Sequence, residues 1–238
     1  PPGGRGFAFA WGRSAVPCRV RAARPKEPPH RAPIRIDLED PRAGRPTVQR
    51  YYHAPTTTTA EQGEAEALDL MMKILGEGST SRLYRKLAVE QKLAAAAGGW
   101  YSAAGLDSGR IAVYAIASNG IDIDKLEEAM DVVVADLIEN GVTQKELDRA
   151  RNAQIAGYIY SGDNQTRLAR RYGWGLVNGR TINDIEEWPS RLEKVTVEDV
   201  QSVAKKYFDL NQSVTGVLTP VKTDTAKETK ADHPKKKS

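Results

Sequence analysis

LAAAAGGWYSAA at residues 93–104 and RIAVYAIAS at residues 110–118 are two apolar segments joined by a short link containing Gly105, Asp107 and Gly109. Alanine on its own favours helix, but Gly98-Gly99 followed by Trp100-Tyr101 suits a strand that packs closely against a neighbour. The second segment is apolar at successive positions, the pattern of a strand covered on both faces. Strands joined by so short a link pair antiparallel. The hairpin therefore sets the class as α+β: an antiparallel sheet with helices packed on one face.

Working outward, Thr47–His53 (TVQRYYH) is β-branched and aromatic and reads as a strand. Thr58-x-x-Glu61 has the form of a capping box, with Ala65, Leu68, Met72 and Leu75 at helical spacing behind it and Gly76 as the stop. Ser81 then opens a short helix carrying Leu83 and Leu87. Downstream of the hairpin the chain reads as five helices. Leu126, Met130, Val133 and Leu137 form the stripe of the first, which Gly141 closes. Thr143-x-x-Glu146 caps a helix running to about Tyr160, and Asn164 starts one with Leu168, Tyr172 and Leu176 on one side. Ile185, Trp188 and Leu192 suggest a fourth, interrupted by Pro189. Thr196-x-x-Asp199 opens the fifth, with Val200, Val203 and Tyr207 inward, and Ser213–Thr219 (SVTGVLT) is a closing strand.

The 238 residues suit one large domain or two small ones, and hydrophobic (40%) and charged (28%) fractions are those of a globular chain. The mean hydropathy is −0.53, and apolar runs fall short of the roughly 18 residues a membrane helix needs. The single cysteine, Cys18, excludes an internal disulfide framework or a cysteine-based zinc cluster. His30, His53 and His233 are too far apart to form a paired-histidine zinc motif on one helix.

Charge is uneven along the chain. Residues 1–35 carry eight Lys or Arg against Glu27, and residues 221–238 carry six Lys against three acids, so the intervening body is net acidic although the whole chain is +4. Basic ends without interleaved aromatic residues do not point to nucleic acid. Nine of the 13 prolines fall in residues 1–46. Residues 1–35 therefore read as a disordered Pro/Arg-rich leader or linker, 36–220 as the folded domain, and 221–238 as a disordered Lys-rich tail. A transit peptide, a linker from an upstream domain, a misplaced start and a fragment all remain open for the leader.

Few residues select a chemistry. His53 ends a strand with no partner nearby in sequence, and Gly76-Glu77-Gly78-Ser79 lacks the Lys of a phosphate loop. The helical acids Glu127, Glu128, Glu146, Asp148, Glu186 and Glu187 read as solvated charges. Arg167, Arg170 and Arg171, beside Tyr172 and Trp174, read as a helix edge or as a surface for an acidic peptide or partner chain.

Residues 74–93 (ILGEGSTSRLYRKLAVEQKL) carry the most specific signal. Gly76, Gly78, Ser81, Arg82, Leu83 and Tyr84 resemble the L-G-x-G-x-x-S-R-L-Y segment in the second half of insulinase-type zinc metallopeptidases, which include bacterial relatives of the mitochondrial processing peptidase. The resemblance continues to about Leu218 and covers roughly residues 36–218.

It implies a domain that closes a chamber around an unfolded peptide, while a homologous half bears H-x-x-E-H, its zinc and the general base. This chain is then the C-terminal half, without zinc of its own, inactive alone, and partnered by a zinc-bearing half or subunit. The alternative is a non-enzymatic peptide-binding or assembly subunit of the same superfamily. The expected substrate-binding residues are Arg85, Trp100, Tyr101 and Arg110, with Tyr114 beside them. Catalytic relatives place an Arg, and seven residues later a Tyr, where this chain has Ala88 and Ala95; neither alanine donates a hydrogen bond, which favours an enclosing role. The bacterial likeness suggests a periplasmic or cytoplasmic setting.

Overall fold

Residues 30–221 are described by the computed structural model. They run β1 (Ile34–Glu39), β2 (Thr47–Ala54), α1 (Glu64–Leu75), a π-helical turn (Tyr84–Glu90), β3 (Ala94–Ser102) and β4 (Gly109–Ala117). Six helices follow: α2 (Ile123–Asn140), α3 (Gln144–Ser161), α4 (Gln165–Val177), α5 (Ile182–Glu186), α6 (Trp188–Lys194) and α7 (Val197–Tyr207). β5 (Ser213–Thr219) is the last element among the described residues. The expectations for Cys18, His233, most of the leader and the tail after Val221 lie outside the described residues.

The five strands are ordered β1-β5-β2-β4-β3. The expected hairpin forms, β3 antiparallel to β4, and β2 lies antiparallel between β4 and β5. The α+β class and the helical layer on one face hold, but the sheet is not wholly antiparallel. β1 adds a strand that the sequence reading lacked, parallel to β5 with Ile36 opposite Gly216, and it begins at Ile34, ahead of the expected domain start at 36.

Three other details differ. Thr58 does not cap α1; Gly63, at φ 83°, is the N-cap, and the hydroxyls of Thr56, Thr58 and Thr59 bond one another in the preceding turn. The short helix after Ser81 is π-wound, with Gln91 N donating to the Lys86 carbonyl. Pro189 splits the expected fourth helix into α5 and α6, and sits in the first turn of α6 where its missing N–H costs nothing. The boxes at Thr143 and Thr196 form as the spacing requires, and Asn164 caps α4.

Strand alternation divides the sheet into two faces. Val48, Tyr52, Ile111, Val113 and Val217 point into the helical layer, where Leu68, Met71, Met72, Leu126, Met130, Val200 and Val203 meet them. α1 is buried almost all round, as a helix between the sheet and outer helices must be. The opposite face carries Tyr51, Trp100, Tyr114 and Ile116, all partly exposed, and Ile34, Ile36 and Leu38, which are exposed outright.

α6 docks on α1 through polar contacts. Arg191 Nε donates to Glu66 Oε1 at 2.7 Å, and Trp188 Nε1 to Asp69 Oδ2 at 3.4 Å. Desolvation pushes the Asp69 carboxyl up to about 7; the indole N–H opposes this and Glu66 and Glu77 reinforce it. Native Asp69 thus holds a proton that the unfolded chain releases near pH 4, so this contribution is full at acidic pH and is lost as pH rises through 7. Asp69→Asn is expected to stabilise the fold at pH 8 by about 1–3 kcal/mol, the partial exposure of the group being discounted, and to change nothing at pH 4. Thermal melts of both proteins at the two pH values check this; an equal difference at both would contradict it.

Candidate functional site

The exposed sheet face gathers the candidate site. Odd positions of β2 place Tyr51 and His53 on it, and β4 contributes Arg110, Tyr114 and Ile116 at alternate positions. β3 adds Trp100, opposite Ala112, and Gly98, opposite Tyr114. A Cβ at Gly98 would stand 3.1 Å from the Tyr114 ring, so the glycine leaves the space over which that ring lies. Tyr51 meets Trp100 edge-on at 6.3 Å between ring centroids, and Trp100 meets Tyr114 at 5.9 Å. The Arg110 guanidinium stands 5.7 Å from the Tyr51 ring centre and is itself exposed.

At one end of this strip lies a concavity of about 420 Å³ walled by His30, Tyr51, His53, Ser102, Arg110 and Val214. Aromatic faces beside an exposed guanidinium suit apolar and acidic side chains of an extended peptide. Tyr51, Trp100 and Arg110 themselves offer contacts and no general base; His30, His53 and Ser102 stand at the end of the strip. They do not suit zinc: His30 and His53 share the concavity with a guanidinium, and no carboxylate lines it. Among the described residues no group of three or more His, Cys, Asp or Glu is placed to hold a metal ion.

The expected substrate-binding residues do not all meet. Trp100 and Arg110 share the exposed face, with Tyr114 between the same strands. Tyr101 turns to the helical side, where its hydroxyl donates to the Pro55 carbonyl at 2.7 Å. Burial pushes that hydroxyl's pKa far above its ordinary value, so it stays a neutral donor. Arg85 lies in a different cleft, of about 430 Å³, with Arg82, Lys86, Lys145 and Arg149, and pairs with Glu90 at 3.6 Å. Ala88 is half-buried on the π-helical turn and Ala95 is exposed at the bulged start of β3, so neither position offers a polar group. Tyr51 and His53 were missed as site residues, although the alternation in TVQRYYH puts them on one face.

The glycine–serine–arginine segment is built for structure. A Cβ on Gly76 would stand 2.4 Å from the Gly99 nitrogen, and the Gly76 carbonyl accepts from that N–H at 3.1 Å. Gly78 takes φ 83° at the turn. Ser81 Oγ donates to the Gly78 carbonyl at 2.8 Å, and Leu83 is fully buried. Arg82 grips Glu146 with two bonds of 2.9 and 2.8 Å and reaches Asp136 at 3.2 Å, tying α2 and the cap of α3 to the turn. The Arg82 hydrogen bonds hold the Glu146 carboxyl down at about 2. Tyr84 stands half-buried beside them.

Residues 19–154, more than half of the chain, match the family described as the peptidase M16 inactive domain. The chain belongs to this family. Its domain class explains why the sequence carries no H-x-x-E-H. Among the curated proteins compared, none matches. Of solved structures, a protease from Helicobacter pylori is similar over 82% of this chain and 46% of that one, with a TM-score of 0.76 and 24% identity. An inactive peptidase domain from Bordetella parapertussis is similar over 76% of this chain and 96% of that one, with a TM-score of 0.65 and 24% identity. The chain thus spans about half the length of the Helicobacter protease and nearly the whole of the Bordetella domain. No helix among the described residues is long and apolar enough to cross a membrane.

Proposed function

We propose that this M16 inactive domain is the substrate-enclosing half of a zinc metallopeptidase. It works with a homologous zinc-bearing half and is silent alone. The observation that carries this reading is the exposed sheet face, where Tyr51, Trp100, Tyr114 and Arg110 form an aromatic and cationic surface. That surface is turned toward the zinc-bearing half and the unfolded peptide it holds. β3 is also a sheet edge, and beyond Gly99, whose N–H the Gly76 carbonyl takes, its outer backbone groups can add a peptide strand with little side-chain preference.

The test is hydrolysis of an unfolded reporter peptide by the chain alone and with a zinc-bearing M16 half, with and without chelator. Chelator-sensitive cleavage is expected only in the mixture. Trp100→Ala with Arg110→Ala is expected to raise KM for the reporter about tenfold or more while leaving the melting temperature within a few degrees. Cleavage by the chain alone would overturn the reading. Ala88 and Ala95, where catalytic relatives have hydrogen-bond donors, favour a second reading, a non-enzymatic peptide-binding or assembly subunit. Binding of the reporter with no cleavage in any mixture would establish that one.

A further inference from the structure

Helices α3 and α4 make an arm that the body leaves largely bare. The α4 inner side packs on α5, where Gly175 meets Ile185, and Arg171 ties it to α3 by lying over the Tyr158 ring at 3.7 Å and donating to the Tyr158 carbonyl at 2.7 Å. Its outer side is a single stripe at helical spacing: Arg167, Arg170, Trp174 and Val177, all exposed, with Trp174 64% and Val177 70% accessible. Neither Arg167 nor Arg170 has an ion-pair partner among the described residues. An indole this open, flanked by two unpaired guanidiniums, is the composition of an interface anchor.

A complementary stripe lies on α2. Asp124, Glu128, Val132 and Ala135 are exposed along it, Val132 to 61%. Beside Val132 is a concavity of about 520 Å³, floored by Leu93 and Ala129 and rimmed by Gln91, Lys125 and Glu128. Glu128 has no partner among the described residues, and Asp124 only a 3.5 Å contact with Arg35. The two stripes match in order and, at three of their four positions, in spacing. With the helices side by side and parallel, Trp174 lies over Val132, Arg170 beside Glu128, Val177 over Ala135, and Arg167 within reach of Asp124.

We propose that the α4 stripe docks on the α2 stripe of a second copy of this chain. Trp174 is the knob, the concavity beside Val132 its socket, and Arg170–Glu128 the pair that fixes the register. Because the two surfaces differ, the contact is head to tail, and each added copy leaves one free stripe of each kind. Its charged pairs lie at the rim, so salt weakens it.

Sedimentation velocity on the full chain tests the proposal. The weight-average mass is expected to rise above 26.1 kDa as concentration increases through the micromolar range, and to fall back as salt is added. Arg170→Glu, Trp174→Ala and Glu128→Arg each alter only an exposed side chain, and each is expected to weaken association about tenfold or more. The decisive sample mixes Trp174→Ala with Glu128→Arg. Each variant keeps one intact stripe, so the mixture is expected to form one-to-one dimers and nothing larger, although neither variant associates alone. A wild-type chain that stays monomeric throughout would overturn the proposal, as would variants that still associate, or a mixture that stays monomeric.

Discussion

Arg50→Ala is expected to lower the stability of the domain by about 2–4 kcal/mol, because it takes the shared cation from the largely buried Glu127 and the part-exposed Asp131. Arg50 lies on β2 with its side chain buried, turned from the exposed face into the sheet–helix interface. Its guanidinium bonds Asp131, Glu127 Oε1 at 2.6 Å and Thr215 Oγ1 at 2.8 Å, and so joins β2, β5 and α2. Glu127 keeps a second partner, Arg35 of β1, at 2.5 Å. Asp131 has no other cation beside it among the described residues, and water makes up part of its loss because its side chain is 39% exposed. At about 2–4 °C per kcal/mol for a domain of this size, the melting temperature should fall by roughly 10 °C. Asp131→Asn in the same chain should recover part of that fall, since a neutral amide no longer needs the cation. A double-mutant cycle of Arg50→Ala and Asp131→Asn by chemical denaturation measures the coupling. Strictly additive losses would show that the two side chains do not act together.

The same cluster explains why β1 was invisible in the sequence. IRIDLE alternates apolar and charged residues and sits among prolines and arginines, so it reads as the margin of a solvated leader. Its partner β5 lies some 180 residues away, and no local pattern announces a parallel pairing of that span. Arg35 and Asp37 lie on the helical side of this edge strand and stay exposed, and Arg35 reaches Glu127 and Asp124 of α2, a contact no local pattern announces. By contrast, the β3–β4 hairpin and the capped starts of α3, α4 and α7 were legible because each depends on neighbours within a few residues. Thr58-x-x-Glu61 misled for a related reason. The motif's spacing was right, but the threonine hydroxyls close a turn on themselves and Gly63 starts the helix instead.

The site was half legible. Trp100 and Tyr101 are adjacent in one strand, so their side chains must leave opposite faces, and only one can meet a peptide. Parity along β3 was obscured by the run of alanines and by the bulge between Ala94 and Ala96. The structure gives Trp100 to the exposed face and Tyr101 to the core. Tyr51 needed the pairing of β2 with β4 before it joined Trp100 and Arg110. The family segment signals membership strongly and peptide contact not at all, since its glycines, serine and arginine are spent on joining α1, β3 and α3.

That division of labour sets the expectation for Gly76→Ala, a loss of at least about 3 kcal/mol, compared with about 1–2 kcal/mol for Gly78→Ala. The two glycines sit in the same segment and fail for different reasons. At Gly78 a methyl group meets open space, and the only cost is holding a non-glycine residue at φ 83°. At Gly76 the backbone angles are ordinary, φ −127°, but the methyl group would stand 2.4, 2.6 and 2.8 Å from the nitrogen, Cα and carbonyl oxygen of Gly99. All three are backbone atoms of a paired strand and no rotamer relieves them. Gly99 is itself crowded, since a Cβ there would stand 2.6 Å from Ala112 O and 2.7 Å from Met72 Cε. Either the 3.1 Å bond from Gly99 N to Gly76 O is lost or β3 shifts against β4. The second outcome would move Trp100 relative to Tyr114, so peptide binding should suffer beyond what the stability loss explains. Denaturant unfolding of both variants, with reporter binding measured where each is still folded, decides the matter. Equal losses for the two alanines would mean that backbone conformation, not the close approach of α1 to β3, is what the glycines provide.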